Sequence, residues 1–421
     1  MASAAIQTPS PLHEPEAAPQ APATLDRGRL LELDALRGLA ALTVVFHHLE
    51  CLLRPSHESA GMLRNAFLNL LHGHDFHAFA QAIGPIRLLD LTPVYLILAG
   101  HEPVVLFFVL SGFVLALPFY RGRALSYSAF LTKRICRIYI PYAVAILFAM
   151  FLNATLSHGG IPSLNEWFNQ TWRLPVTASE VARHFLFLGT YDFYQFNTAI
   201  WSLVHEMRIS LVFPAIILIA GLRLRYALAV FGILSISGTL LNTMVDASEA
   251  GYFASVHYCA LFGIGALIAQ NRVKLCRIYA ASSGVARTWL VLTGFLLYLY
   301  GRFLAFSSVA INGDEANGVG AGILVVTALA SPRARSFLAP SWCGFLGRVS
   351  YSLYLVHGTI LFSLVYLFYP RAPWPVIGIV YVSLALIGAQ VCYRFVELPS
   401  IQTGKLLADK LQNRFRASSS E

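Results

Sequence analysis

The residues Asp34-Ala-Leu-Arg37 enter an apolar stretch, and a His47-His48 pair follows, with His48 eleven positions after Arg37. Ionisable groups inside a membrane-length apolar segment are costly to keep and read as functional candidates. At about 100° per residue, His48 falls roughly 20° from Arg37 on a helix surface, whereas His47 lies about 80° off that stripe. Asp34 and Arg37 are i,i+3 neighbours and can pair. Along the axis, Arg37 and His48 stand about 16 Å apart at 1.5 Å per residue. A single ligand serving both must be long, charged near Arg37 and reacting near His48. The competing reading is an interfacial arginine anchor and a histidine hydrogen-bonded within a bundle.

Two further groups carry chemistry. Trp201-Ser-Leu-Val-His205-Glu206-Met-Arg208 begins another apolar stretch. Counting from that start puts Glu206 roughly 8 Å below the membrane boundary, a depth it could share with His48. A carboxylate beside an imidazole fixes its tautomer and stabilises its protonated form. Glu206 is therefore the expected partner of His48, against a structural contact to His205 or Arg208. In Lys133-Arg134-Ile-Cys-Arg137, Arg134 and Arg137 face the same way at i,i+3 and suit a phosphate clamp, or a plain headgroup anchor. The run His72-Gly-His74-Asp-Phe-His77 lacks helical H-E-x-x-H spacing and reads as a loop; no metal is expected. The glycines of Gly318-Val-Gly320-Ala-Gly322 have no preceding strand, so close helix packing explains them better than a dinucleotide site.

The elements that hold these residues must be membrane helices. The chain has 421 residues, 57% hydrophobic and 12% charged, against about 25% charged in soluble domains. That deficit cannot coat a water-facing surface, so the fold class is all-α and polytopic. The net charge of +9 is scattered between apolar runs, and nucleic acid is not an expected partner. Six dispersed cysteines without a C-x-x-C pair read as free thiols. Ten apolar spans are expected: 38–53, 103–119, 138–156, 201–220, 226–245, 253–270, 288–306, 317–331, 349–368 and 376–395, with an interfacial helix over 88–98. The eighth is short and Gly-rich. Residues 1–29 read as a disordered tail without signal-peptide character, 30–400 as the membrane domain and 401–421 as a polar cytoplasmic tail. Arg and Lys cluster after the even-numbered spans, which puts both termini in the cytoplasm of a multi-pass cell-membrane protein.

These residues resemble the acyltransferase-3 family of membrane O-acyltransferases, over about 33–399. The similarity rests on Asp34-x-x-Arg37 with His48 eleven residues on, His101-Glu102 leading into Phe107-Phe-Val-Leu-Ser111-Gly-Phe113, and Arg134-x-x-Arg137 with Pro141. Trp201-Ser-Leu with Glu206, Ser350-Tyr-Ser-Leu-Tyr-Leu355 ending in His357, and Arg394-Phe-Val-Glu397-Leu-Pro399 complete it. The resemblance implies about ten helices and transfer of an acyl group, often acetyl, from acyl-CoA to a hydroxyl, typically of an envelope glycan. No bound cofactor is implied; acyl-CoA is the donor substrate. Joined to the geometry, His48 is the expected general base and Glu206 its orienting partner, with Asp34 setting Arg37. Arg134 and Arg137 are expected on the donor phosphates, Ser111 as a candidate oxyanion donor, and Trp201 and His357 at the substrate. A covalent acyl-histidine is a second mechanism, His47 a fallback for His48, and a glycan transporter or flippase the alternative function.

Overall fold

The computed structural model describes residues 30–53, 92, 94–120, 126–173, 175–187, 189, 192–245, 251–300 and 313–418. The expected tail at 1–29, the histidine run at 72–77 and residues 88–91 and 93 of the expected interfacial helix lie outside them; the end of that expected helix is helical over Tyr95–Leu98. Among the described residues there are helices, turns and no strand. The helices are α1 Leu31–Leu53, α2 Tyr95–Leu98, α3 His101–Tyr120, α4 Tyr127–Leu156, α5 Glu166–Gln170, α6 Ala178–Leu186 and α7 Ile200–Ala220. They continue as α8 Leu224–Val245, α9 Tyr252–Ala281, α10 Gly284–Tyr300, α11 Asp314–Ala330 and α12 Pro332–Leu338. The last are α13 Ser341–Phe368, α14 Trp374–Cys392 and α15 Leu398–Ser418, the final two joined by a π-helical turn over Tyr393–Glu397.

All ten expected spans contain a helix. Among the described residues, eight helices are long and apolar enough to cross a membrane; α10 and α11, at 17 residues each, are shorter. Where bounds differ, the helix usually runs past the apolar window. Helix α4 starts at Tyr127 and α9 ends at Ala281, because Arg and Lys end a hydropathy window while remaining good helix formers.

Lipid-facing apolar groups such as Ile233, Leu241 and Ile379 are exposed, so the bundle is held by close packing. Glycines make that closeness possible. Gly38 of α1 abuts Leu346 and Gly347 of α13, while Gly347 abuts the Asp34 carbonyl, so a side chain at either would collide with backbone. Gly112 of α3 and Gly265 of α9 seat each helix directly on the other's backbone. Gly320 meets Tyr298 of α10 in the same way, as the packing role for the Gly-rich segment requires. Helix α15 docks back along α4, with Gly404 against Cys136, Lys133 near Asp409 at 3.7 Å, and the Ser126 amide donating to Gln412 Oε1. The six cysteines are all free thiols.

Candidate active site

Helix α13 presents small and polar groups at Gly347, Ser350, Tyr351, Tyr354, His357 and Gly358, one helical stripe facing the bundle interior. Together they meet α1, α4, α7 and the loop before α7. Arg37 Nε donates to Ser350 Oγ at 2.9 Å, with its guanidinium 3.7 Å from Asp34. Tyr351 donates to the Ile138 carbonyl at 2.9 Å, and the Tyr354 and Ser202 hydroxyls pair at 2.7 Å. Beyond them, His48 Nδ1 lies 2.6 Å from His357 Nε2, and Gly358 packs against Thr198 and Asn197. From Ser350 to His357 the ladder climbs about 10 Å at 1.5 Å per residue.

The Arg37 end is a cluster of charge. Arg134 is buried; its guanidinium reaches Glu206 Oε1 at 2.6 Å and Ser210 Oγ at 3.1 Å. Ser111 donates to the same Glu206 oxygen at 3.0 Å. Arg137 differs, for among the described residues it makes no hydrogen bond or ion pair, yet it lines the cavity there. That cavity, about 60 Å³, is bounded by Arg37, Phe107, Phe108, Ser111, Arg137, Ile138, Ser202, Leu203, Glu206, Ser350, Tyr351 and Tyr354. The i,i+3 pair is thus divided, with Arg134 neutralising a carboxylate and Arg137 presenting an unclaimed guanidinium.

The expected Glu206–His48 contact does not form; Glu206 bonds Arg134 and Ser111, and His357 occupies the place beside His48. The reason lies before α7. Residues Phe193, Gln195, Phe196, Asn197 and Thr198 are buried, and Asn197 Nδ2 donates to the Leu355 carbonyl at 2.7 Å. The chain therefore enters the bundle before the helix starts, and α7 begins level with His357. Glu206, eight residues past Thr198, sits about 12 Å further along, at the Arg37 end. Trp201 packs its ring near-parallel to His101 and edge-on to His205; Ser202 faces the cavity in its place.

The histidine pair has a defined proton arrangement. His357 Nδ1 lies 3.0 Å from the Leu353 carbonyl, which only accepts, so Nδ1 carries the proton and Nε2 a lone pair. His48 Nδ1 then donates to that lone pair, and His48 Nε2 is left basic. Among the described residues no hydrogen bond reaches His48 Nε2, and Trp167 stacks on the ring at 5.5 Å. His47 turns away, as its angle on the helix requires, with Nδ1 at the Leu98 carbonyl (2.8 Å) and Nε2 at Cys51 Sγ (3.2 Å). His47, Glu50 and Cys51 bring three ligand-type atoms within 4.8 Å of one another, both imidazole nitrogens being engaged as described.

A second buried network was missed in the sequence reading. His101 Nε2 meets Asp314 Oδ1 at 2.8 Å, and His257 Nε2 meets Asp314 Oδ2 at 3.3 Å. His257 Nδ1 lies 2.9 Å from Ser235 Oγ, which donates to Glu315 at 2.6 Å. His205 and Arg208 share Ser255 beside it. The available signals were His257 inside the sixth span and the acids of Gly-Asp314-Glu315-Ala that lead into the eighth.

A family model described as an acyltransferase domain matches residues 30–394, which takes in α1 through α14 and every residue of the ladder. No curated protein and no solved structure matches the chain. With the match spanning most of the chain, and a bundle of apolar helices enclosing its polar ladder, the chain belongs to the acyltransferase-3 family of membrane acyltransferases.

Proposed function

We propose that this acyltransferase moves an acyl group, acetyl by default, from acyl-CoA to a hydroxyl of a sugar or envelope glycan, with His48 as general base. The observation that carries the reading is the His48–His357 pair, which leaves a lone pair on His48 Nε2 at the far end of the ladder from Arg37 and Arg137. A donor with phosphates at one end and a thioester at the other matches that separation. Arg137 is the anchor for donor phosphate, since Arg134 is held by Glu206, and Arg37 lies beside it in the same cavity. Tyr351 and Tyr354 stand on the ladder between that cavity and His48, so the pantetheine arm passes them.

At the His48 end, the acceptor oxygen attacks the thioester carbonyl carbon while Nε2 takes the hydroxyl proton. The C–S bond then breaks, and the same proton passes from Nε2 to the leaving sulfur, so that ester and thiol form with no net proton change. His357 holds the tautomer and balances no charge. Glu206 acts at the donor end by holding Arg134 and Ser111. On the charge distribution, the arginine end faces the cytoplasm.

The test compares cells carrying the wild type, His48→Ala and His47→Ala at matched protein abundance, by mass spectrometry of glycans and polar metabolites. The expected result is a base-labile acyl increment in wild type and His47→Ala that disappears in His48→Ala. An increment that survives His48→Ala overturns the mechanism, and none in any strain turns the reading toward transport.

A further inference from the structure

Asp314 is 1% exposed and touches an imidazole with each oxygen. A carboxylate only accepts, so His101 Nε2 carries the proton and Nδ1 a lone pair. Among the described residues, no hydrogen bond reaches His101 Nδ1, and the side chain keeps 16% of its surface open. One turn along α11 from Asp314, Asn317 is fully buried, and among the described residues nothing hydrogen-bonds its amide oxygen or amide nitrogen. Leaving such groups unmade is costly, so this seam has polar capacity that the described residues do not fill.

The seam lies at the level of the His48–His357 pair. Gly100, the residue before His101, packs its α-carbon against the His47 ring. The His101 ring lies parallel to Trp201, whose neighbour Ser202 bonds Tyr354, three residues before His357. Two imidazoles, one held by a histidine and the other by an aspartate, thus each keep a lone pair that no described residue takes, and they stand in one layer of the bundle. An imidazole lone pair takes an O–H donor. A single hydroxyl satisfies His48 Nε2 and leaves His101 Nδ1 wanting.

We propose that His101, held by Asp314, is a specificity residue that receives a second hydroxyl of the acceptor, with Asn317 beside it, so that the enzyme selects a vicinal diol over a simple alcohol. The inference rests on the acyl-transfer reading above and adds the acceptor's contact. His48 acts on the reacting hydroxyl, and His101 fixes its neighbour, which orients the nucleophile without any further proton transfer.

The experiment uses the full chain in lipid nanodiscs and follows thiol release from acetyl-CoA with 1-propanol or 1,2-propanediol as acceptor. His101→Gln keeps a donor toward Asp314 and removes the group at Nδ1; Asn317→Leu removes an amide that holds nothing in the fold. The expected wild-type preference in kcat/KM is at least about tenfold for the diol, the equivalent of one hydrogen bond near 1.4 kcal/mol. Each variant reduces it toward unity while leaving the propanol rate unchanged. A wild type that does not prefer the diol overturns the proposal. So does His101→Gln slowing both alcohols equally, the signature of a structural role, or His101→Gln keeping the preference. Release of no thiol with either alcohol by folded wild type removes the acyl-transfer reading itself, and this inference with it.

Discussion

Replacing His357 separates a tautomer relay from a packing contact. His357→Leu keeps much of the volume and deletes the acceptor for His48 Nδ1–H, now 2.6 Å away. The lost neutral hydrogen bond is worth about 0.5–1.5 kcal/mol, and the unpaired buried donor costs about 1–3 kcal/mol. If that loss falls on the reacting geometry, 1.36 kcal/mol per decade converts it to about 5- to 150-fold in kcat/KM. His357→Gln behaves differently, because its Oε1 reaches roughly the position of imidazole Nε2 and still accepts. It is expected to stay within about fivefold of wild type, in line with one weakened hydrogen bond. The assay is the initial rate of isotopically labelled ester formation from labelled acetyl-CoA in membranes, read by mass spectrometry and normalised to folded protein. His357→Leu at the wild-type rate, or His357→Gln as slow as His357→Leu, refutes the relay.

Other outcomes follow from the same contacts. Arg137→Ala should raise the donor KM about 10- to 150-fold, the value of one charge-assisted hydrogen bond, with kcat little changed in a donor titration. Arg134→Met should instead lower folded yield, since it strands the Glu206 carboxylate at a cost of about 3–5 kcal/mol; adding Glu206→Gln should recover much of it, read by size-exclusion profile and thermal midpoint. Gly38→Leu forces α1 off the α13 backbone and should lower the thermal midpoint, at about 1–3 kcal/mol for overpacking, whereas Gly232→Ala, with open space around it, should not.

The sequence displayed the helices because the bilayer admits few alternatives. Runs of about 20 apolar residues have one structural solution, and each of the ten expected spans holds a helix. The stripe on the first helix was equally legible, since the angle between Arg37, His47 and His48 is fixed by 100° per residue; His48 faces the ladder and His47 faces Leu98. What failed was depth between helices. Hydropathy marks where a helix becomes apolar, not where the chain enters the bundle, and the buried residues before Ile200 shift the whole of α7 by about two turns. Glu206 therefore met Arg134 rather than His48. His101, His257 and Asp314 converge from three helices far apart in sequence, and no local spacing announces such a meeting.

One further pattern is legible in the sequence without any resemblance. Gly347, Ser350, Tyr351, Tyr354, His357 and Gly358 recur at intervals of three and four residues in an otherwise apolar span. In a soluble helix an apolar stripe at that interval marks the face turned from water. In lipid the argument inverts, since unpaired polar groups are penalised where they meet hydrocarbon, and a polar stripe marks the face turned toward other helices. The stripe on α13 meets α1 through Gly38 and Arg37, α4 through Ile138, and α7 through Ser202. Small residues in it let backbones approach, and the hydroxyls and imidazole between them find partners at the distance so created. The packing that holds the bundle and the ladder that positions His48 are therefore one feature, which is why a bulky side chain at Gly38 should disturb chemistry about 15 Å away along the helix as well as stability.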